Sequence, residues 1–100
     1  MIEIKNAVVD GKLVVYLNGR IDTSNAQEVE AKIDSIVKEN PGKELVLDGE
    51  NLKYISSAGL RVVLKLRKTL GSLSVIKLTP DVYEVFELVG FTDLMTIQQA

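Results

Sequence analysis

Two adjacent hydroxyls, Ser56 and Ser57, stand just before a segment in which Leu60, Val63 and Leu64 recur at helical spacing. The first N–H groups of a helix lack intrahelical acceptors, and the aligned peptide dipoles leave partial positive charge at that end. A serine oxygen can accept one of those N–H bonds as an N-cap, and Ser57 is read as that cap, with Ala58, Gly59 and Leu60 as the first turn. The same hydroxyl could also take a phosphoryl group. A phosphate there would rest on an anion-tolerant helix start while adding roughly two negative charges to any docked surface. Capping alone also accounts for the serine. Gly59 asks for more, because glycine in a first turn costs up to about 1 kcal/mol against alanine; close backbone approach by a partner or an anion would explain it. Arg61 sits beside this turn, suited to a phosphoserine or a partner's acid, or else simply solvated on an open helix face.

These residues need elements to hold them. Leu45-Val46-Leu47 reads as a short buried strand, Asp48-Gly49-Glu50-Asn51 as a turn, and Leu52 and Tyr54 as loop anchors on the core. The serine-started helix then runs to about Leu70, closed by Gly71. Its apolar circumference is broad, which means either deep burial or an exposed strip awaiting a partner. Upstream, Ile2 to Val9 and Leu13 to Leu17 flank Asp10-Gly11 as a hairpin, and Asn18-Gly19-Arg20 reads as a turn. Ser24 with Gln27 fits a capping box for an amphipathic helix carrying Ala26, Val29, Ile33 and Ile36, ended by Asn40-Pro41-Gly42. Downstream, Leu73 to Leu78 is a strand. Thr79-Pro80-Asp81 starts a last helix that faces Val82, Val85, Phe86 and Val89 inward and ends at Gly90. Phe91 to Ile97 is a return segment or an edge strand.

The order is α/β: a small mixed sheet of four to five strands, opened by a β-hairpin, with three main helices. One domain over residues 1–100 is expected from the length. The composition excludes much chemistry. There is no histidine and no cysteine, so the usual nucleophilic triads and zinc sites cannot be assembled from this chain alone, and an enzyme is not expected. No metal site and no cofactor are expected. A formal charge of −2 predicts no attraction to nucleic acid or anionic membrane. Neither a secretory signal nor a spanning run is present, so no membrane insertion and a cytoplasmic location are expected.

Ile55-Ser56-Ser57-Ala58-Gly59-Leu60 resembles the Asp-Ser-Ser-Gly-Leu or Asp-Ser-Ala-Gly-Leu signature of the STAS domain family, the bacterial anti-sigma factor antagonists. Leu17 to Asp22 looks like the family's Gly-x-Leu-Asp strand ending, and Thr79-Pro80 through Phe91 like its closing helix, so nearly the whole chain is covered in order. The resemblance implies that Ser57 is the phosphoacceptor, with Ser56 as the alternative hydroxyl. The family's acidic position falls on Ser56, and the glycine that often follows the signature leucine falls on Arg61; both are departures.

Loops at the carboxyl ends of strands gather at one rim. The resemblance implies that the second and third strands are neighbours, which would bring Asp22, Asp48, Ser56, Ser57 and Gly59 together. Asp22 is either structural or part of that rim. The implied partner surface is Asp22, Thr23, Asp48, Ser56, Ser57, Gly59, Leu60 and Arg61. The implied partners are an anti-sigma factor of the serine kinase type, released on phosphorylation, and a serine phosphatase. A constitutive STAS adaptor subunit of a transport or signalling assembly, without phosphoregulation, is the alternative, and the serine at position 56 favours it. A small nucleotide-binding protein is a third.

Overall fold

The computed structural model describes residues 2–100. Strand β1 (Ile2–Val9) and strand β2 (Lys12–Ile21) form the expected hairpin, with Asp10 at φ 52° and Gly11 at φ 79°, the paired positive values that suit a tight turn to the strand twist. Helix α1 (Ala26–Glu39) leads to β3 (Leu45–Asp48), then β4 (Leu52–Ile55), helix α2 (Ser57–Leu70), β5 (Ser74–Leu78), helix α3 (Pro80–Leu88), a single 3₁₀ turn (Phe91–Asp93) and β6 (Thr96–Gln99). The sheet runs β1-β2-β3-β5-β6, with β4 pairing β2 off this path. All pairs except the β1–β2 hairpin are parallel. Each crossover steps in the same direction along the sheet, so right-handed connections bring the three helices to one face. Side chains alternate accordingly: Leu13, Val15, Leu17, Leu45, Leu47 and Val75 share one core with Val29 and Ile33 of α1, Val63 and Leu66 of α2, and Phe86 of α3. Phe86 and Phe91 meet edge to face at 5.8 Å between ring centroids.

The sheet has six strands, and the difference from the expected four or five lies in specific segments. Asn18-Gly19-Arg20 is not a turn. β2 passes straight through it, with Gly19 at φ 130° and a register shift beside it, because β4 pairs this half of the strand while β3 pairs the other. The segment holding Leu52 and Tyr54 is strand rather than loop. Leu52 is buried as expected, but Tyr54 is exposed and its ring lies under the Arg20 guanidinium, 4.5 Å from carbon to centroid. The breadth of apolar surface on α2 reflects burial: Leu60, Val62, Val63 and Leu66 are all in the core. On α3, Val82 and Phe86 are buried whereas Val89 is exposed, one residue beyond the helix. No described helix is long and apolar enough to cross a membrane.

Candidate functional site

The start of α2 is built by four contacts, and none uses the Ser57 side chain. The N-cap is Ser56, one residue earlier than expected: its Oγ accepts the Gly59 N–H at 3.3 Å from an extended backbone, φ −89° and ψ 174°. The Ser56 N–H donates to the Ile21 carbonyl at 2.9 Å, which ties the helix entry to the end of β2, and the Leu60 N–H donates to the Ser56 carbonyl. Gly59 is buried over the paired strand ends. A Cβ added there would lie 2.7 Å from Ile21 Cγ2 and 2.7 Å from Ile55 Cγ1. The glycine therefore answers to close packing within the chain, and a partner or anion is not needed to explain it. Ser57 is left as the first helical residue, exposed, with its hydroxyl free of the cap.

Asp22 stands at the end of β2 and organises the entry to α1. Its Oδ1 accepts from the Ser24 hydroxyl at 2.6 Å, the Ser24 N–H at 3.0 Å and the Asn25 N–H at 3.2 Å. The Asn25 side chain answers by accepting the Asp22 N–H and donating to the Arg20 carbonyl. These bonds replace the expected Ser24–Gln27 capping box, and Asn25 at the N-cap position makes no side-chain cap bond. The Ser24 hydroxyl first, and then the two backbone amides, hold the Asp22 carboxyl below its ordinary value, so it is charged at neutral pH.

The candidate residues separate into two groups. Thr23 and Arg61 line a cleft of about 370 Å³ between α1 and α2, with Ser24, Gln27 and Ala58 among its other walls, while Asp22 precedes Thr23 at the entry to α1, and Ser56 and Ser57 precede Ala58 at the start of α2. Gly59 and Leu60 lie beneath this surface, buried. Asp48 does not join it. It alternates with Leu47 and so leaves β3 on the sheet face away from the helices, where it is only 5% exposed. There it closes its own turn by accepting the Glu50 N–H at 3.0 Å, and Lys77 Nζ lies 3.8 Å away.

The cleft itself had no sequence signal. It exists because α1 faces α2, and the Lys65–Glu30 ion pair at 2.8 Å spans the two helices at its far end. Arg61 projects from the same side of α2, and among the described residues it makes no ion pair or hydrogen bond. The other two arginines are engaged, Arg20 on Tyr54 and Arg67 donating from Nε to the Leu94 carbonyl.

Fold and site together define a small α/β domain that presents the first turn of one helix and the cleft beside it. The chain belongs to the STAS domain family, whose pattern it matches over residues 3–100. It is 41% identical over 93 residues to a protein of Bordetella bronchiseptica provisionally named anti-sigma factor antagonist BtrV, covering 89% of this chain and 79% of that protein. Its fold is that of an anti-sigma factor antagonist from Mycobacterium paratuberculosis, with a TM-score of 0.89 at 24% identity over 100% of this chain and 87% of that one. The Bacillus cell fate determinant SpoIIAA in its phosphorylated form shares the fold as well, with a TM-score of 0.64 at 21% identity over 97% of this chain and 90% of that one.

Proposed function

We infer that this protein is a phosphorylation-gated antagonist of an anti-sigma factor of the serine kinase type. Unmodified, it binds that factor through the surface around Ser57 and Arg61; phosphorylated on Ser57, it lets go, and a serine phosphatase resets it. The observation that carries this reading is the division of labour between the two serines. Ser56 supplies the cap, so the Ser57 hydroxyl is exposed and has no structural duty. A phosphate on Ser57 adds roughly two negative charges without breaking a bond that holds the helix. The name of the Bordetella relative and the phosphorylated form of SpoIIAA support the same reading.

The test is binding to the purified cognate anti-sigma factor. Ser57→Ala binds like the parent protein, and Ser57→Asp binds roughly ten- to a hundredfold more weakly, the range of ordinary coupling energies. Equal affinity of the two variants removes the gating. The constitutive adaptor remains the second reading because position 56 carries serine where the family signature carries an acid. Mass spectrometry of the protein from its own cells separates the two: a phosphate on Ser57 belongs only to the gated form.

A further inference from the structure

We propose that Arg61 is the intramolecular partner of a phosphate on Ser57, and that forming this pair withdraws the cation from the α1–α2 cleft. The proposal rests on the reading that Ser57 is the phosphoacceptor, and it adds how the modified state is held. Ser57 and Arg61 are four residues apart on one helix, the spacing at which side chains are neighbours on its surface. The acidic member here lies N-terminal to the basic one, the orientation that also agrees with the helix dipole. Both residues are exposed. Among the described residues Arg61 is the one arginine with no hydrogen bond or ion pair and no stacking partner, whereas Arg20 is stacked and Arg67 is hydrogen-bonded. Guanidinium is the side chain best shaped for a phosphate, since its fixed fork of donors matches two oxygens at once.

Before modification the Arg61 side chain lines the cleft with Thr23, Gln27 and Ala58. The other charged groups around it are already balanced or restrained. Glu30 and Lys65 pair with each other, and Asp22 is tied to Ser24 and Asn25. Among the described residues, Arg61 is thus the unpaired positive charge lining the cleft that an acidic partner group would meet. A phosphate on its own helix, four residues back, competes for it at high effective concentration. Release then follows from loss of an attractive group as well as from gain of repulsion.

The experiment uses the full chain with phosphoserine installed at position 57 during synthesis, so it does not depend on any kinase. The phosphate is titrated by phosphorus NMR in the parent sequence and in Arg61→Gln and Arg61→Lys. The guanidinium Nε–H resonance of Arg61 is followed with and without the phosphate. The pair lowers the second phosphate pKa, so Arg61→Gln raises it by about half a unit, roughly a threefold change in proton affinity, and Arg61→Lys recovers part of this. The Arg61 Nε–H resonance moves on phosphorylation. A chain carrying phosphoserine at position 56 instead, five residues from Arg61, does not respond to Arg61→Gln. Identical titrations in the parent and Arg61→Gln, together with an unmoved Nε–H, overturn the pair. Such a result leaves gating at Ser57 untouched, because partner binding by Ser57→Asp tests that separately.

Discussion

Replacing Gly59 with alanine separates two accounts of that residue. Alanine is the better helix former by up to about 1 kcal/mol, so a glycine kept free only for a visiting partner should yield a more stable domain when replaced. The packing predicts the reverse. The new methyl would sit 2.7 Å from carbons of both Ile21 and Ile55, about 1 Å inside the ordinary carbon–carbon contact of roughly 3.5–4.0 Å. Neither neighbour can yield cheaply. Ile21 and Ile55 are register partners in the sheet, 2% and 4% exposed, and the Ile21 carbonyl also receives the Ser56 N–H. Overpacking of this kind costs about 1–3 kcal/mol. After the helix-propensity gain, a net loss of up to about 2 kcal/mol remains, and for a domain of this size each kcal/mol lowers the melting temperature by roughly 4–8 °C. The assay is thermal and urea unfolding followed by circular dichroism. A total stability of about 5–15 kcal/mol leaves the variant folded at 20 °C, where its partner affinity should match the parent. A Gly59→Ala variant that melts at or above the parent temperature, and loses binding while folded, refutes the packing argument and restores the partner as the reason for glycine.

The two serines are predicted to differ in stability as well as in signalling. Ser56→Ala removes the N-cap and costs about 1 kcal/mol, whereas Ser57→Ala stays within about 0.5 kcal/mol of the parent; urea midpoints compared side by side check this. The Asp22 carboxyl titrates below its ordinary value because the Ser24 hydroxyl and two backbone amides bond to its charged form. A group depressed in the folded state contributes stability above its unfolded pKa, near 3.8, and loses that contribution as pH falls through the lower folded value. Carbon-13 titration of the Asp22 carboxyl should therefore move upward in Ser24→Ala. Acid unfolding of Asp22→Asn should lack the parent's final loss of stability below about pH 4.

Long periodic segments were legible in the sequence because burial wrote them there. Ala26, Val29, Ile33 and Ile36 are the buried residues of α1, and Thr79-Pro80 opens α3 with the Thr79 hydroxyl accepting the Val82 N–H. The parts that escaped depend on partners distant in sequence. Asn18-Gly19 carries turn chemistry, yet the chain continues as strand because Gly19 donates to the Asn51 carbonyl and β4 supplies the edge. Within β4 only Leu52 and Ile55 are buried, so the register shift removes the period-two pattern that would announce a strand. In β6 only Ile97 is even partly buried, and polar Gln98 and Gln99 give no apolar signal. At the site, the sequence located the helix entry to within one residue. That one residue decides which serine is structural, and adjacent serines offer nothing local by which to choose. Asp48 was grouped with the rim by its place after a strand; which sheet face it leaves by depends on alternation from Leu47, and that places it apart.

The proposed switch needs a side chain whose charge can change while the backbone beneath it does not, and the start of α2 would meet that need by distributing its support. The Ser56 Oγ holds the Gly59 amide, the Ser56 amide holds β2, and Gly59 rests on two strand residues that hold each other. Each support enters through the backbone or through residue 56 and residue 59, which leaves residue 57 outside the load. The serine at position 56 therefore makes a cap without a carboxylate, and the surface beside Ser57 carries one negative charge fewer than the family signature provides. A phosphate added there would meet less pre-existing repulsion, with Arg61, unpaired among the described residues, four residues away. On the proposed reading, a phosphate at Ser57 would act on what the surface can bind, and very little on whether the helix that carries it stays formed.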